Sequence, residues 1–87
     1  EFITREQIAA IMHRYAKFKQ VDVSVGESTN ILSYSDFGSI SEYAVAPLQW
    51  AVGAGLIKGR SETTLNPKDN ATRAEIAAIL HRFLESK

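Results

Sequence analysis

The sequence predicts an all-α fold, a small helical bundle in which two long helices and a kinked middle helix are joined by long polar loops. Three observations support this prediction. Two segments place apolar residues at the i, i+3, i+4, i+7 spacing of an amphipathic helix. The two segments are near copies of each other, and each opens with a helix-start signal. With 87 residues the chain is long enough for one domain.

The first predicted helix covers residues 4–19. Thr4 and Gln7 have the spacing of a capping box, in which the threonine oxygen accepts a backbone N–H and the amide side chain reaches back to the threonine N–H. The apolar stripe that follows consists of Ile8, Ile11, Met12 and Tyr15.

The second long helix is a copy of the first. Residues 3–15 recur 68 positions later as residues 71–83, with eight of the thirteen residues identical. Thr72 and Glu75 repeat the capping box, so a helix is predicted over residues 72–85. Both helices carry the same apolar stripe with alanines beside it, as expected of elements packed about one quasi-symmetry axis.

A third helix is predicted between the two copies. A short first turn at 40–45 should be followed by a kink or restart at Pro47, because a proline ring clashes with the carbonyl four residues earlier. The helix should then run to Ala54, with Gly55 as the residue that ends it. Residues 20–33 and 60–71 are polar and are predicted to be surface loops.

Composition excludes several classes of function. Ten Lys and Arg residues balance ten Asp and Glu residues, so the chain lacks the basic excess typical of a nucleic-acid binder. No apolar run reaches about 18 residues, which argues against membrane insertion. The absence of cysteine excludes disulfides and thiolate sites. No nucleophile–base pair or Gly-rich phosphate loop is recognisable, so we expect neither an enzyme nor a cofactor.

Two weak patterns for a metal site are present. His13 and His81 occupy matching positions of the repeat, but two histidines without further ligands are a poor zinc set. Residues 66–70 contain Asn and Asp before a helix, but they lack the ligand order of a calcium loop. We therefore expect no metal.

Five short motifs stand in order between residues 34 and 75. They are Tyr34-Ser35-Asp36-Phe37, Trp50-Ala51, Gly55-Leu56-Ile57-x-Gly59, Leu65-x-Pro67 and Thr72-Arg73-Ala74-Glu75. This series closely resembles the S-layer homology motif. By this resemblance residues 34–87 form a complete motif, residues 1–19 form the closing helix of a preceding motif, and residues 20–33 link the two within a single domain over 1–87.

The resemblance implies a fold and a function. S-layer homology motifs are mostly helical, and commonly three assemble around a pseudo-threefold axis. They hold bacterial surface proteins non-covalently on the cell wall, so the implied location is extracellular. The implied ligand is an anionic secondary cell wall polysaccharide, often carrying pyruvate ketals, bound in grooves between motifs. Neighbouring motifs or copies of the chain itself are further implied partners. The resemblance suggests three such long helices where this chain has two, so we expect one flank of the helix pair to expose apolar surface that marks an interface.

Seven residues are candidate ligand contacts on this hypothesis. A guanidinium can hold a carboxylate in a bidentate pair, an indole offers a face to a sugar, and glycine lets a ligand approach the backbone. The candidates are Arg5, Asp36, Trp50, Gly55, Gly59, Arg73 and Glu75.

The sequence leaves structural roles open for most of these candidates. Both arginines lie in a first turn, where a cation opposes the helix dipole, so either could instead pair with an internal carboxylate. Trp50 could belong to the core, Asp36 could cap the turn at 34–39, Glu75 could cap its own helix, and Gly55 could serve as the helix stop.

A second function class fits the same helices. The chain could be a helical module that associates with copies of itself or with neighbouring motifs and binds no glycan. The two hypotheses differ in one observable, since only a glycan anchor should lose its attachment to the wall when the wall polymer is removed.

Overall fold

A computed structural model describes residues 2–85 and contains three α-helices: α1, Arg5–Phe18; α2, Val45–Gly53; and α3, Arg73–Glu85. Short 3-10 helices at Ser24–Ser28, Phe37–Ser39 and Glu42–Ala44 lie between α1 and α2. Over the described residues there is no β-strand, and extended pairing is limited to a bridge between Thr4 and Asn70. The all-α prediction is confirmed. Across this same part of the chain, no helix combines the length and the apolar character needed to span a bilayer.

Both long helices begin at the predicted capping boxes. At α1 the Thr4 hydroxyl oxygen accepts from the Gln7 N–H at 3.2 Å, and the Gln7 side chain accepts from the Thr4 N–H at 2.8 Å. At α3 the equivalent bonds between Thr72 and Glu75 are 3.0 and 2.8 Å. Each box satisfies two donors that the helix itself leaves unpaired.

The middle helix restarts rather than bending at its proline. The break lies between the 3-10 helix Glu42–Ala44 and α2, and Pro47 sits in the first turn of α2. Backbone N–H groups there have no intrahelical acceptor, so the proline ring removes no hydrogen bond. Gly55 ends the helix as predicted, with φ at 78°. The Leu56 N–H then donates to the Ala51 carbonyl at 2.8 Å, which completes a Schellman motif.

The segment 20–33 differs from the prediction of a plain surface loop. Its 3-10 helix Ser24–Ser28 packs on α2, and Ile31 is fully buried. Gly26 lies so close to α2 that a Cβ there would be 3.0 Å from the backbone N and Cα of Trp50. Val21 and Val23 also pack against the core. The polar composition of the segment concealed this packing, because its few apolar residues are scattered and show no helix or strand period.

The core joins all three helices around Trp50. This side chain is 2% exposed, and its ring lies 5.4 Å from that of His13 and 6.2 Å from that of Phe83. The structure therefore gives Trp50 the core role that the sequence left open. Its indole has no open face on which a sugar could stack.

An exposed apolar strip runs along α1 and α3, where we expected an uncovered flank of the helix pair. The rings of Tyr15 and Phe83 are 5.9 Å apart, so the two helices meet here at equivalent repeat positions. The exposed members of the strip are Ile11, Tyr15, Leu80 and Leu84.

We expect the Trp50→Ala variant to lose about 3–5 kcal/mol of unfolding free energy, because it leaves a large cavity where three helices meet. Trp50→Phe should fold with a much smaller loss. Urea unfolding monitored by circular dichroism measures both changes. A loss below about 1 kcal/mol for Trp50→Ala would contradict the central position of this side chain.

Candidate functional site

The Arg5 side chain is buried, and each of its three nitrogens donates a hydrogen bond. It is 4% exposed. Its Nε donates to the Leu65 carbonyl at 2.8 Å, one terminal nitrogen donates to the Glu75 carboxylate at 2.7 Å, and the other donates to the Lys58 carbonyl. Burial lowers the pKa of the Arg5 guanidinium, and the charge of Glu75 opposes that shift. Arg5 therefore links the start of α1 to α3 and to the loop between α2 and α3.

The backbone at the start of α1 is attached to the same loop. The Arg5 N–H donates to the Asp69 carbonyl at 2.9 Å and the Glu6 N–H donates to the Pro67 carbonyl at 3.0 Å. The Ala71 N–H donates to the Ile3 carbonyl at 2.8 Å. Donors that a helix N-terminus leaves free thus find acceptors in residues 65–71, and the loop is fixed against α1.

Glu6 forms a second buried polar contact at this end of α1. Its carboxylate, 3% exposed, accepts from the Ser41 N–H at 3.0 Å, the Ser41 hydroxyl at 2.7 Å and the Tyr43 hydroxyl at 3.2 Å. The Lys68 ammonium lies 3.3 Å away. Burial acts to raise the pKa of Glu6, but the hydrogen bonds from Ser41 and Lys68 outweigh it and hold the pKa below its usual value.

Glu75 is shared between two arginines. It accepts from Arg5 at 2.7 Å and from Arg60 at 2.8 and 3.2 Å. The hydrogen bonds from Arg60, with the Thr72 N–H and the charge of Arg5, lower the pKa of Glu75 to about 2. Glu75 is thus both the capping residue of α3 and the common partner of the two guanidinium groups.

These contacts frame a groove of about 300 Å³ between α3 and the segment that follows α2. One wall is formed by residues 56–60 and the other by the first three turns of α3. Ala74 and Ala78 have small side chains, so the α3 side of the groove is shallow. The charged side chains that line the groove are Arg5, Lys58, Arg60, Glu75 and Arg82.

Positive charge exceeds negative charge in this groove. Arg5 and Arg60 share the Glu75 carboxylate, and Arg60 also lies 3.3 Å from the Asp69 carboxylate at the rim. Arg82 donates to the Leu56 carbonyl at 3.1 Å, which is a neutral acceptor. Lys58 is exposed, and its ammonium group makes no hydrogen bond or ion pair to any residue in the range 2–85. The charges of Arg82 and Lys58 are therefore left unbalanced, and the groove suits an anion.

Three of the seven candidates from the sequence line this groove: Arg5, Gly59 and Glu75. A Cβ at Gly59 would lie 2.5 Å from the Ser61 carbonyl oxygen and 2.6 Å from that of Thr64. Glycine is thus needed at this position for the loop to close. Arg5 forms the structural ion pair that the sequence analysis left open, and its partner is Glu75.

Asp36 has a different role from the turn cap that the sequence suggested. Its carboxylate makes no capping bond to the 3-10 helix Phe37–Ser39. It accepts instead from the Leu65 N–H at 3.0 Å and the Asn66 N–H at 2.8 Å. The correction has a physical reason: these two donors belong to a loop about thirty residues away, and no local pattern indicates that they lie nearby.

The remaining candidates lie outside the groove. Trp50 is in the core and Gly55 ends α2 at the surface. The Arg73 side chain is exposed and, within residues 2–85, makes neither a hydrogen bond nor an ion pair. The structure thus separates two arginines that occupy identical positions of the sequence repeat.

Lys58, Arg60 and Arg82 are groove residues that the sequence analysis did not propose as ligand contacts. Two of them flank Gly59, the glycine of the Gly55–Gly59 motif. Arg82 is repeated as Arg14 in the first helix. A cationic pair around a motif glycine was the available signal. Over the described residues no cluster of three or more His, Cys, Asp or Glu side chains is arranged to hold a metal.

The low pKa of Glu75 predicts a loss of stability in acid. In the unfolded chain the carboxyl has a pKa near 4.5, against about 2 when folded. A pKa that is lower in the folded state contributes stability above the unfolded value, and that stability is lost as the pH falls from about 4.5 towards 2. Glu6, whose pKa is also lowered, acts in the same direction. We expect the unfolding free energy to decrease over this range.

The variant Glu75→Gln isolates the contribution of this carboxylate. It should be less stable than the unmodified chain at pH 7 by about 2–3 kcal/mol, the magnitude of charge-assisted hydrogen bonds, and should lose less stability on acidification. Urea unfolding at a series of pH values measures both effects, with the exposed Glu62→Gln as the control. An acid loss in Glu75→Gln equal to that of the unmodified chain would contradict this assignment.

Comparison with known proteins shows which family and which relatives this chain resembles. The model of the S-layer homology domain matches residues 33–77, about half of the chain. An amylopullulanase from Thermoanaerobacterium thermosulfurigenes is 39% identical over 85 residues, which cover 95% of this chain and 4% of that protein. An endoglucanase from Bacillus sp. (strain KSM-635) is 33% identical over 84 residues, or 97% of this chain and 9% of that protein.

A third relative carries the name of a surface protein. Cell surface glycoprotein 1 of Acetivibrio thermocellus is 35% identical over 82 residues, which cover 94% of this chain and 3% of that glycoprotein. The chain spans less than a tenth of each of these relatives. No solved structure matches it significantly. The ordered motifs, the helical fold and the family match agree, and the chain belongs to the S-layer homology domain family, which points to the cell surface and to anchoring on the cell wall.

Proposed function

We propose that this chain anchors a bacterial protein on the outside of the cell by binding an anionic secondary cell wall polysaccharide in the groove between α3 and residues 56–60. The observation that carries the proposal is the unbalanced positive charge of Arg82 and Lys58 in that groove. The chain acts as a binding module, and the enzyme names of two relatives belong to proteins of which the matched stretch is only 4% and 9%.

Arg82 is the principal ligand contact in this proposal. It lies half-buried in the wall of the groove and uses one nitrogen on the neutral Leu56 carbonyl. The remaining donors of a planar guanidinium match a carboxylate in a bidentate pair. A pyruvate ketal on the polysaccharide would present such a carboxylate. Lys58 would add a flexible second cation on the opposite wall.

Arg5, Gly59 and Glu75 shape the groove and complete the proposed site. Glu75 holds Arg5 and Arg60 in fixed positions, so their remaining surface contributes positive potential without moving. Gly59 permits the tight course of the wall opposite α3. A sugar ring would then lie against the low apolar surface of Ala74 and Ala78, since Trp50 is enclosed in the core.

Co-sedimentation with cell walls tests this function. The protein should pellet with purified wall sacculi that retain their secondary polymer and should remain in solution with sacculi from which the polymer has been stripped. Attachment should weaken as salt is raised, because a charge-dependent contact is screened. Equal pelleting with both preparations would overturn the proposal in favour of a module that binds protein.

Substitution of repeat-equivalent arginines tests the site itself. We expect Arg82→Gln to weaken binding to the wall polymer about tenfold or more, the loss that removal of a charge-assisted pair of about 1.5 kcal/mol or more produces. Glutamine keeps a polar amide and the apolar stem of the side chain, so the fold should persist.

Arg14→Gln is the matched control for this experiment. Arg14 occupies the same repeat position on α1, is exposed, and lies outside the groove. It should bind the polymer as the unmodified chain does. Equal losses of affinity in the two variants would mean that general charge, and not the groove, determines binding.

A further inference from the structure

We propose that the position of one glutamate in the first turn, Glu6 in α1 and Glu75 in α3, determines which of the two near-identical helices occupies which place in the fold. The two glutamates are not repeat equivalents, because Glu6 corresponds to Ala74 and Glu75 corresponds to Gln7. The proposal concerns packing within the chain and does not rest on the proposed glycan function.

The apolar residues of α1 and α3 do little to distinguish the two helices. Residues 5–16 aligned with residues 73–84 are identical at seven of twelve positions. The five differing pairs are Glu6/Ala74, Gln7/Glu75, Met12/Leu80, Tyr15/Phe83 and Ala16/Leu84. Methionine and leucine have similar volumes, and tyrosine and phenylalanine differ by one hydroxyl, so those pairs discriminate weakly. The two first-turn pairs and the last pair differ strongly in charge or volume.

Glu6 fits the place that α1 occupies. Its carboxylate is 3% exposed and accepts from the Ser41 N–H, the Ser41 hydroxyl and the Tyr43 hydroxyl, with the Lys68 ammonium 3.3 Å away. If the sequence of α3 lay there, Ala74 would leave all these donors without this acceptor. Donors that lose their acceptor away from water destabilise an arrangement by more than the bond itself contributes.

Glu75 fits the place that α3 occupies. One of its oxygens accepts from Arg5 at 2.7 Å and from Arg60 at 3.2 Å, and the other accepts from Arg60 at 2.8 Å. If the sequence of α1 lay there, the neutral amide of Gln7 would face both guanidinium groups. The buried arginine beside it would then lack a counter-ion, and a buried charge without its partner is strongly destabilising.

A shift of one residue is enough to separate the two sets of partners. Successive side chains on an α-helix are about 100° apart around its axis. The carboxylates of Glu6 and Glu75 therefore leave their helices on different faces, although both belong to a first turn. Buried polar contacts of this kind are best attested as devices that fix register and the choice of partner.

The far ends of the two helices oppose the same exchange. Ala16 is fully buried on α1, whereas Leu84, at the equivalent position of α3, is 65% exposed. A leucine in the place of Ala16 would force extra volume into packed surroundings. The last turns thus discriminate by volume, and the first turns discriminate by charge.

Moving the carboxylate of α1 by one residue tests the proposal. The double variant Glu6→Ala/Gln7→Glu gives α1 the first turn of α3 and keeps the net charge of the chain. We expect its melting temperature, measured by circular dichroism at pH 7, to fall by about 10 °C or more. The matched control is Gln7→Glu alone, which adds the same carboxylate and keeps Glu6. It should change the melting temperature by less than about 3 °C, since residue 7 is exposed.

A second background separates specific pairing from a general effect of the first turn. A first-turn carboxylate also stabilises a helix through its dipole, whatever lies beside it. Ser41→Ala with Lys68→Met removes three of the four donors to Glu6. The N–H of residue 41 stays but is a single bond. In this background the shift Glu6→Ala/Gln7→Glu should lower the melting temperature by less than half as much as in the unmodified chain.

The reciprocal experiment moves the carboxylate of α3. Adding Ala74→Glu to Glu75→Gln restores the net charge and gives α3 the first turn of α1. We expect this second change to recover less than half of the melting temperature that Glu75→Gln loses, because a side chain at position 74 leaves the helix on a different face from one at position 75.

Three results would overturn the proposal. The first is a double variant Glu6→Ala/Gln7→Glu that melts within about 3 °C of the unmodified chain or no lower than Gln7→Glu alone. The second is an undiminished loss in the background of Ser41→Ala with Lys68→Met, which would assign Glu6 a general helix-start effect. The third is full recovery of Glu75→Gln by Ala74→Glu, which would show that a carboxylate at either position suffices.

Discussion

A buried guanidinium holds this small protein together. Arg5 lies in the first turn of α1, yet its hydrogen bonds reach the segment after α2, the loop before α3 and the first turn of α3. Removing an arginine from water is costly unless its donors and its charge are both satisfied. Two carbonyls satisfy the donors and Glu75 supplies the opposite charge. Because the core of an 87-residue chain is thin, such a link between distant segments carries much of the specification of the fold.

The same link determines what the groove can bind. Glu75 is committed to Arg5 and Arg60, and its pKa of about 2 keeps it ionised in neutral and moderately acidic solution. It is therefore not available to neutralise Arg82 or Lys58 on the walls. Arg5, Arg60 and Glu75 thus stabilise the fold, while the adjacent Arg82 and Lys58 attract the anion. This division accounts for three arginines in one small site without assigning all of them to a ligand.

The sequence predicts local structure well and long-range contacts poorly. Both long helices begin at the expected threonines and Gly55 ends α2, because capping and left-handed backbone conformations depend on a few adjacent residues. Arg5 and Arg73 have nearly the same neighbours in sequence, yet one is buried and the other exposed. That difference is decided by which distant segment lies against each helix. Asp36 shows the same limit, since its two donors belong to a loop remote in the chain. The division into residues 1–19, 20–33 and 34–87 stays a prediction.

Side-chain NMR of the arginines measures the state of Arg5 most directly. If Arg5 is the buried link, its Nε–H proton will exchange slowly with water, will show a through-bond coupling to the Leu65 carbonyl, and will keep its resonance when an anionic wall polysaccharide is added. The Arg73 Nε–H will exchange rapidly, and the Arg82 resonance will shift on addition of the polysaccharide. An Arg5 Nε–H that exchanges as fast as that of Arg73, or that shifts with the ligand while Arg82 does not, would contradict the account.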